Sequence, residues 1–472
     1  MNKLNIIIFG ASGDLAAKKI FPALFSLYSR GLLPEQVKFY GFSRSKFSDE
    51  EFRQRITTTL TCRYTPEHSC ETFMHNFLER CHYCRGDYQD SRAYEQLEQL
   101  MRSNNNENDD AALLFYLAVP PNLYVDIATA MKAAGLVHES DIPHWSRVII
   151  EKPFGRDRES SDQLTSQLGT LFTENNTYRI DHYLGKEMVQ NLLVLRFANQ
   201  IFQPLWNRAY IHHVELIWAE DLGINERGGY FDHYGIIRDV IQNHMLQIVA
   251  LLAMEEPRSL DAQAIRDCKV ELLRAIVPVK PEELVIGQYA SGMFNGVRVS
   301  GYQDDPSVPD DSITPTFARL SLNIDNERWR GVPFHITAGK GLKAKKTEIK
   351  IVFKHAGSNI FCNLDRCPPL NELIFRIQPA EGLHFNIVTK RPGTKIDFIS
   401  KEIDLSYQNA FAGEIIPEAY ENLILDAVNG NKQLFIREDE LQAAWDILTP
   451  ALHYLEQQKI VPKPYKFGSN GV

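Results

Sequence analysis

The chain has 472 residues, 44% hydrophobic and 24% charged, with 27 glycines and 23 prolines, usage that excludes a collagen, a coiled coil or a disordered tail protein. At roughly 150 residues per domain this length suggests about three domain equivalents, and two large domains is the working division. With 60 acidic against 51 basic residues the net charge is −9, which opposes binding to nucleic acid or an anionic membrane, so an anionic ligand must find a local basic pocket.

Leu4 to Phe9 (LNIIIF) is a short run, apolar but for Asn5, the pattern of a buried parallel strand. A turn follows at Gly10, then apolar residues at helical spacing from Leu15 to Tyr28, with Gly31 as the stop. Lys38 to Phe42, Ala112 to Val119 and Arg147 to Glu151 read as further strands, with helices around Tyr94 to Met101, Leu123 to Ala134 and Ser161 to Leu171. This alternation predicts a Rossmann-like, doubly wound parallel sheet, an α/β domain over residues 1–178. The polar run Ser103 to Asp110 reads as a surface loop.

After about residue 178 the rhythm changes. Ile211 to Trp218 reads as a strand, Phe231 to Met254 as one long helix and Leu260 to Val277 as another. Strand-like runs then crowd together at Phe317 to Ile324, Phe334 to Thr337, Glu348 to Phe353, Leu373 to Ile377 and Phe385 to Thr389. Strands separated only by turns predict a large, mainly antiparallel sheet, and helices near Glu418 to Val428 and Asp439 to Gln457 complete an α+β domain over 179–472. Runs such as Leu113 to Val119 and Ile248 to Met254 are shorter than the roughly 18–20 residues that span a bilayer, so no transmembrane helix is expected. The opening segment does not read as a signal peptide, and the expected location is the cytosol. Seven cysteines fit free thiols in a reducing compartment better than a disulfide framework.

The chemistry begins at Gly10, Ala11, Ser12, Gly13, Asp14 and Leu15, between a buried strand and a helix. Glycines there let the backbone approach a pyrophosphate, and the helix N-terminus offers free N–H groups. The spacing is G-x-x-G-x-x-A, and a plain tight turn is the alternative. Arg44 follows the second strand, where an acid would select NAD; a cation there suits the 2′-phosphate of NADP, the alternative being an ordinary surface charge. Arg179 to Glu187 (RIDHYLGKE) packs several anion donors together, and Asp181 could orient an imidazole. Asp239, Asn243 and His244 interrupt an otherwise apolar helix; Asp239 and Asn243, four apart, share a face, and such a histidine is either a bonded core residue or a catalyst. Cys62, His68, Cys70, His75, Cys81, His82 and Cys84 have metal-ligand residue types, but only Cys81-x-x-Cys84 resembles a zinc pair, and no metal is expected. Cys362 and Cys367 read as incidental thiols.

Five segments in order, GASGDLA at 10–16, EKPFGRD at 151–157, RIDHYLGKE at 179–187, RGGYFDHYGIIRDVIQNH at 227–244 and GVPFHITAGKGL at 331–342, resemble the glucose-6-phosphate dehydrogenase family along nearly the whole chain. The resemblance implies oxidation of glucose 6-phosphate at C1 with hydride passing to NADP, the first oxidative step of the pentose phosphate pathway. It implies His244 as general base and Asp181 as the carboxylate that steadies it. His182, Tyr183 and Lys186 would hold the 6-phosphate; Glu220 and Asp239 would accept sugar hydroxyls. Lys340 and Lys345 match two basic positions on the late sheet, with Lys343 and Lys346 crowding Lys345. Lys152, before Pro153 where a cis bond is accessible, would lie between cofactor and sugar. Lys19 matches a substrate-side lysine and Tyr124 a cofactor contact. The resemblance further implies a homodimer or dimer of dimers built through the large sheet. An unphosphorylated aldose as substrate, or a silent NADP-binding regulator, are the competing readings; His182 and Lys186 weigh against the first, His244 and Asp181 against the second.

Overall fold

The structure is a computed structural model, and it describes residues 3–64, 67–104, 111–138, 144–225, 227–355, 360–363 and 367–472. The chain forms two compact units, one of Met1–Gly185, Ser259–Arg266 and Ile415–Leu441, the other of Lys186–Arg258, Asp267–Glu414 and Gln442–Val472.

The first unit is built on β1 (Lys3–Phe9), β2 (Gln36–Ser43), β3 (Cys81–Arg85), β4 (Ala112–Leu117), β5 (Ser146–Ile150) and β6 (Thr177–Ile180). They lie in the order β6-β5-β4-β1-β2-β3, all parallel. A two-residue strand, Phe435–Ile436, adds itself antiparallel to β6. Leu4 to Phe9 are all buried, Asn5 included, because helices cover both faces of a parallel sheet and leave the strand no solvent-facing side. Gly31, at φ +66°, ends the helix after β1 in the left-handed conformation a C-terminal stop uses. The doubly wound expectation is met. Ser103 and Asn104 finish the helix Ser91–Asn104, and the rest of the polar run expected to be a loop lies outside the described residues.

The second unit carries β7 (Ile211–Ala219), β8 (Val285–Ala290), the hairpin β9 (Gly292–Phe294) and β10 (Val297–Val299), β11 (Phe317–Leu322), β12 (Phe334–Gly339), β13 (Lys346–Phe353), β14 (Glu372–Gln378), β15 (Gly382–Lys390) and β16 (Phe398–Ser406). Its nine-stranded sheet runs β16-β15-β14-β13-β7-β12-β11-β8 and closes on the strand Lys463–Lys466. The sheet is antiparallel except where β12 follows β7 and Lys463–Lys466 follows β8.

The helix expected over Phe231 to Met254 is not one regular element. Gly235 adopts φ +65°, ψ 172°, which breaks the helix Gly228–Ile236 from the turn after it. Ile237–Met245 is then wound as a π-helix before Leu246–Ala253 resumes the α form. By length and composition alone Gly228–Ala253 could cross a membrane, yet 94% of its most apolar window is buried inside the protein. Its C-terminal carbonyls, orphaned as at any helix end, are all taken: Arg196 donates to Leu251 and Met254 at 2.6 Å each, Trp206 Nε1 to Leu252 at 2.8 Å and Trp329 Nε1 to Ala253 at 2.7 Å.

The expectation of free thiols is corrected at four positions, where Cys62 is bonded to Cys70 and Cys362 to Cys367. The paired Cα atoms lie 5.9 and 4.2 Å apart. Cys81, Cys84 and Cys268 remain thiols; burial raises the Cys81 thiol and pushes Cys84 up to about 11.

Candidate active site

In a parallel sheet, side chains meant for a ligand gather where the strands' carboxyl ends emerge, above all where neighbouring strands lead off in opposite directions. In the first unit β1 lies between β2 and β4, and Gly10 follows it. Gly10 has φ +82°, and a Cβ there would lie 2.2 Å from the Ala118 carbonyl oxygen, so the turn exists only with glycine. Its N–H donates to Phe42 O at 2.9 Å, and Gly13 N–H donates back to Gly10 O at 2.9 Å. The loop is thus pinned to the ends of β2 and β4, with Gly13 and Asp14 exposed at the start of the helix. Ala11 is buried beneath it and Leu15 half-buried; Ser12 Oγ accepts from Ser45 Oγ at 3.0 Å and its carbonyl from Arg55 at 2.9 Å. The bare approach at Gly10 and the exposed helix start are what a dinucleotide pyrophosphate requires. Lys18 lies 2.8 Å from the Asp14 carboxylate and holds it below the usual range.

Arg44 is exposed just past β2, its guanidinium 5.5 Å from the Tyr88 ring centroid. Tyr124 is fully buried, its hydroxyl donating to the Glu151 carbonyl at 2.8 Å. Lys152 follows β5, and the Lys152–Pro153 bond is cis. Lys19 is half exposed and pairs with Glu418 at 3.4 Å.

The RIDHYLGKE segment leaves β6 in a tight turn. Asp181, 2% exposed, accepts the Tyr183 N–H on Oδ1 at 3.0 Å, an Asx-type closure that short acidic side chains favour. The buried Tyr183 ring stands edge-on to His182 at 5.0 Å, and the Tyr420 ring lies parallel to His182 at 6.2 Å. The turn rests on the helix Ala419–Asn429: Asn422 Nδ2 donates to Gly185 O at 3.2 Å, and a Cβ on Gly185 would meet the Ala419 carbonyl at 2.5 Å. That helix is anchored by the buried Glu421, which accepts from Tyr64 at 2.9 Å, Arg63 at 3.3 Å and Arg30 at 3.4 Å.

In the second unit Lys186 Nζ donates to Gln378 Oε1 at 2.7 Å, and Gln378 Nε2 to Thr347 Oγ1 at 3.0 Å. Glu220 follows β7 and Lys340 follows β12; their Oε2 and Nζ are 2.6 Å apart, with the ammonium 5.3 Å from the Trp218 ring and 5.4 Å from Phe231. Of the three crowded lysines, Lys346 is held by the buried Glu348 at 2.7 Å, while Lys343 and Lys345 are exposed. His244 is 2% exposed and Asp239 half-buried, both on the π-wound stretch. There the backbone hydrogen bonds close between residues five apart rather than four, and Asn243 Nδ2 donates to Arg238 O at 2.6 Å.

Sequence reasoning missed three supports: Glu151, Tyr420 and Gln378. Glu151, a carboxylate ending an apolar strand, was the visible one. Tyr420 and Gln378 matter through partners far away in the chain, which no local pattern announces. Of the Cys/His cluster, Cys62 and Cys70 are bonded to each other, His82 lies 3.7 Å from Asp49 with its imidazole lowered by burial, and the side chain of His68 lies outside the described residues.

The family described as "Glucose-6-phosphate dehydrogenase, NAD binding domain" matches residues 7–191, and "Glucose-6-phosphate dehydrogenase, C-terminal domain" matches 193–472. The chain is 49% identical over 472 residues to the chloroplastic glucose-6-phosphate 1-dehydrogenase of Solanum tuberosum, covering 99% of this chain and 81% of the relative. It is 47% identical to the cytoplasmic glucose-6-phosphate 1-dehydrogenase 6 of Arabidopsis thaliana, covering 99% and 89%. A solved glucose-6-phosphate dehydrogenase in complex with its substrate glucose-6-phosphate superposes with a TM-score of 0.92 at 41% identity, covering 99% of this chain and 95% of the other.

Proposed function

The chain belongs to the glucose-6-phosphate dehydrogenase family, and from that premise we infer that it oxidises D-glucose 6-phosphate at C1 to 6-phospho-D-glucono-1,5-lactone with a nicotinamide cofactor. The observation that carries the reading is the near-full-length likeness to a dehydrogenase solved with this sugar phosphate. When bound, the nicotinamide dinucleotide supplies the hydride acceptor; Gly10 to Leu15 would hold its pyrophosphate, and Arg44 would make it NADP by gripping the 2′-phosphate. Tyr124 and Lys152 complete the cofactor side.

His244 takes the C1 hydroxyl proton. Removing it as hydride departs avoids a protonated carbonyl, and a buried imidazole excludes competing water. Asp181 stabilises the charged imidazole. His182, Tyr183 and Lys186 hold the 6-phosphate, with Lys19 and Lys345 as further cations, and Lys152 serves the sugar as well as the cofactor. Glu220 and Asp239 accept the sugar hydroxyls, so deoxy analogues leave those acceptors unmatched, and Lys340 adds a cation on the substrate side. The oligomer is a homodimer or dimer of dimers through the nine-stranded sheet, whose edge strand β16 leaves Ile403 and Leu405 exposed. The cytosol remains the proposed location; curated relatives carry both cytoplasmic and chloroplastic names.

Purified protein mixed with glucose 6-phosphate and NADP should produce NADPH, and glucose itself should be turned over far more slowly. Failure to form NADPH across a range of pH and salt defeats the assignment.

A further inference from the structure

Glu151 stands at the end of β5, one residue before Lys152, and is only 8% exposed. A carboxylate placed there is costly unless it is hydrogen-bonded. Its Oε1 accepts two phenols, Tyr116 at 2.6 Å and Tyr420 at 3.2 Å, and its backbone carbonyl accepts the Tyr124 hydroxyl at 2.8 Å. Burial pushes its carboxyl above the ordinary range, against the pull of both phenols and of the Lys152 ammonium.

The three tyrosines come from different parts of the first unit: Tyr116 from β4, Tyr124 from the helix after it, and Tyr420 from a helix 269 residues beyond Glu151. Tyr420 in turn lies parallel to the His182 ring, with 10° between the planes. One carboxylate therefore ties the strand end that delivers Lys152 to the helix that supports the turn at 182–185. Because both phenols donate to a single oxygen, Glu151 acts as an acceptor whose effect is geometric.

We propose that Glu151 is a positioning residue for the substrate's phosphate end: it locks Tyr420, and through Tyr420 fixes His182 and the turn that carries it. This rests on the reading of the chain as a glucose-6-phosphate dehydrogenase. Networks of this kind hold a binding group in place without touching the ligand, and their loss shows first in affinity.

The test uses Glu151→Leu, which removes the acceptor, and Tyr420→Phe in the full chain. Each should raise KM for glucose 6-phosphate about 5- to 20-fold while kcat stays within about threefold and KM for NADP within about twofold. Amides at 182–185 should exchange with deuterium about tenfold faster, with those of β1 and β4 unchanged. A fall in kcat at constant KM, or faster exchange throughout the unit, overturns the proposal by making the residue catalytic or merely structural; unchanged KM and exchange overturn it outright. If Glu151→Leu does not fold, Tyr420→Phe, which keeps the ring, carries both readouts. Wild-type protein that forms no NADPH overturns the functional reading instead, and the exchange measurement still decides whether Glu151 fixes the turn.

Discussion

Glu220 and Lys340 meet because the strands that deliver them run parallel: β7 and β12 pair Ala219 with Gly339, and the next residue on each carries the opposite charge, 2.6 Å apart. Lys340 is the more buried, its ammonium set against Trp218 and Phe231. Lys340→Met strands a partly buried carboxylate and should cost about 1–2 kcal/mol. Urea unfolding measures that loss, and initial rates should show KM for glucose 6-phosphate rising by about tenfold or more. An unaltered KM would remove Lys340 from the sugar site.

Gly10→Ala is the severest single-methyl change in the first unit. The new Cβ would sit 2.2 Å from a backbone oxygen, at a φ of +82°, so the strain cannot be relieved by a side chain moving aside. A loss of about 2 kcal/mol or more is expected, with NADPH binding, followed by fluorescence, weakened before the unit unfolds. Normal affinity would show that the loop does not cradle the dinucleotide.

How far such features can be read in advance depends on whether their cause is local. Leu4 to Phe9 and the glycine turn announce themselves, because a strand buried on both faces is apolar nearly throughout, here with Asn5 as the exception, and its turn must lack a Cβ. The break at Gly235 and the π-winding after it do not, since Ile236, Ile237, Val240 and Ile241 suit either winding equally well. Phe435–Ile436 is too short to carry any period, yet it pairs with β6. The two disulfides join cysteines eight and five residues apart, separations that mark no known framework. The motif segments that carry the family likeness were legible; the Glu151–Tyr420 contact, made between residues 269 apart, was not.

Arg44 stands exposed beside Tyr88 at the end of β2. Arg44→Ala should raise KM for NADP about 10- to 100-fold and leave NAD kinetics nearly unchanged, because only the former has a 2′-phosphate to lose. Equal losses with both cofactors would assign Arg44 to the fold.

Lys432 gives the first unit a pH response. Burial drives its ammonium down from 10.5 to about 7, with Glu174 opposing and Arg266, Arg179 and Arg147 reinforcing; Nζ donates to the carbonyls of Glu174 and, at 2.9 Å, Thr177. Between the folded value near 7 and the unfolded one of 10.5 the unfolded chain holds more protons, so this residue makes stability rise with pH across that window. The slope approaches about 1.4 kcal/mol per pH unit if no other group titrates against it. Denaturant midpoints of wild type and Lys432→Met should converge as pH rises and separate as it falls, with wild type the weaker at the low end. Parallel curves would mean that the ammonium stays charged in the fold.

His244→Asn isolates the proton transfer. An amide of similar size can keep a hydrogen bond in the buried site but cannot accept a proton at neutral pH, so kcat should fall about 10²- to 10⁴-fold while KM for glucose 6-phosphate moves only a few-fold. The fall in wild-type rate on acidification, which a base must show as it becomes protonated, should vanish in the variant. Asp239→Asn provides the contrast. It lies five residues earlier on the same π-wound stretch, so if its part is to hold a sugar hydroxyl it should raise KM and leave the acid limb in place. Should Asp239→Asn instead abolish the limb and His244→Asn retain it, the base would be the carboxylate and the histidine its support.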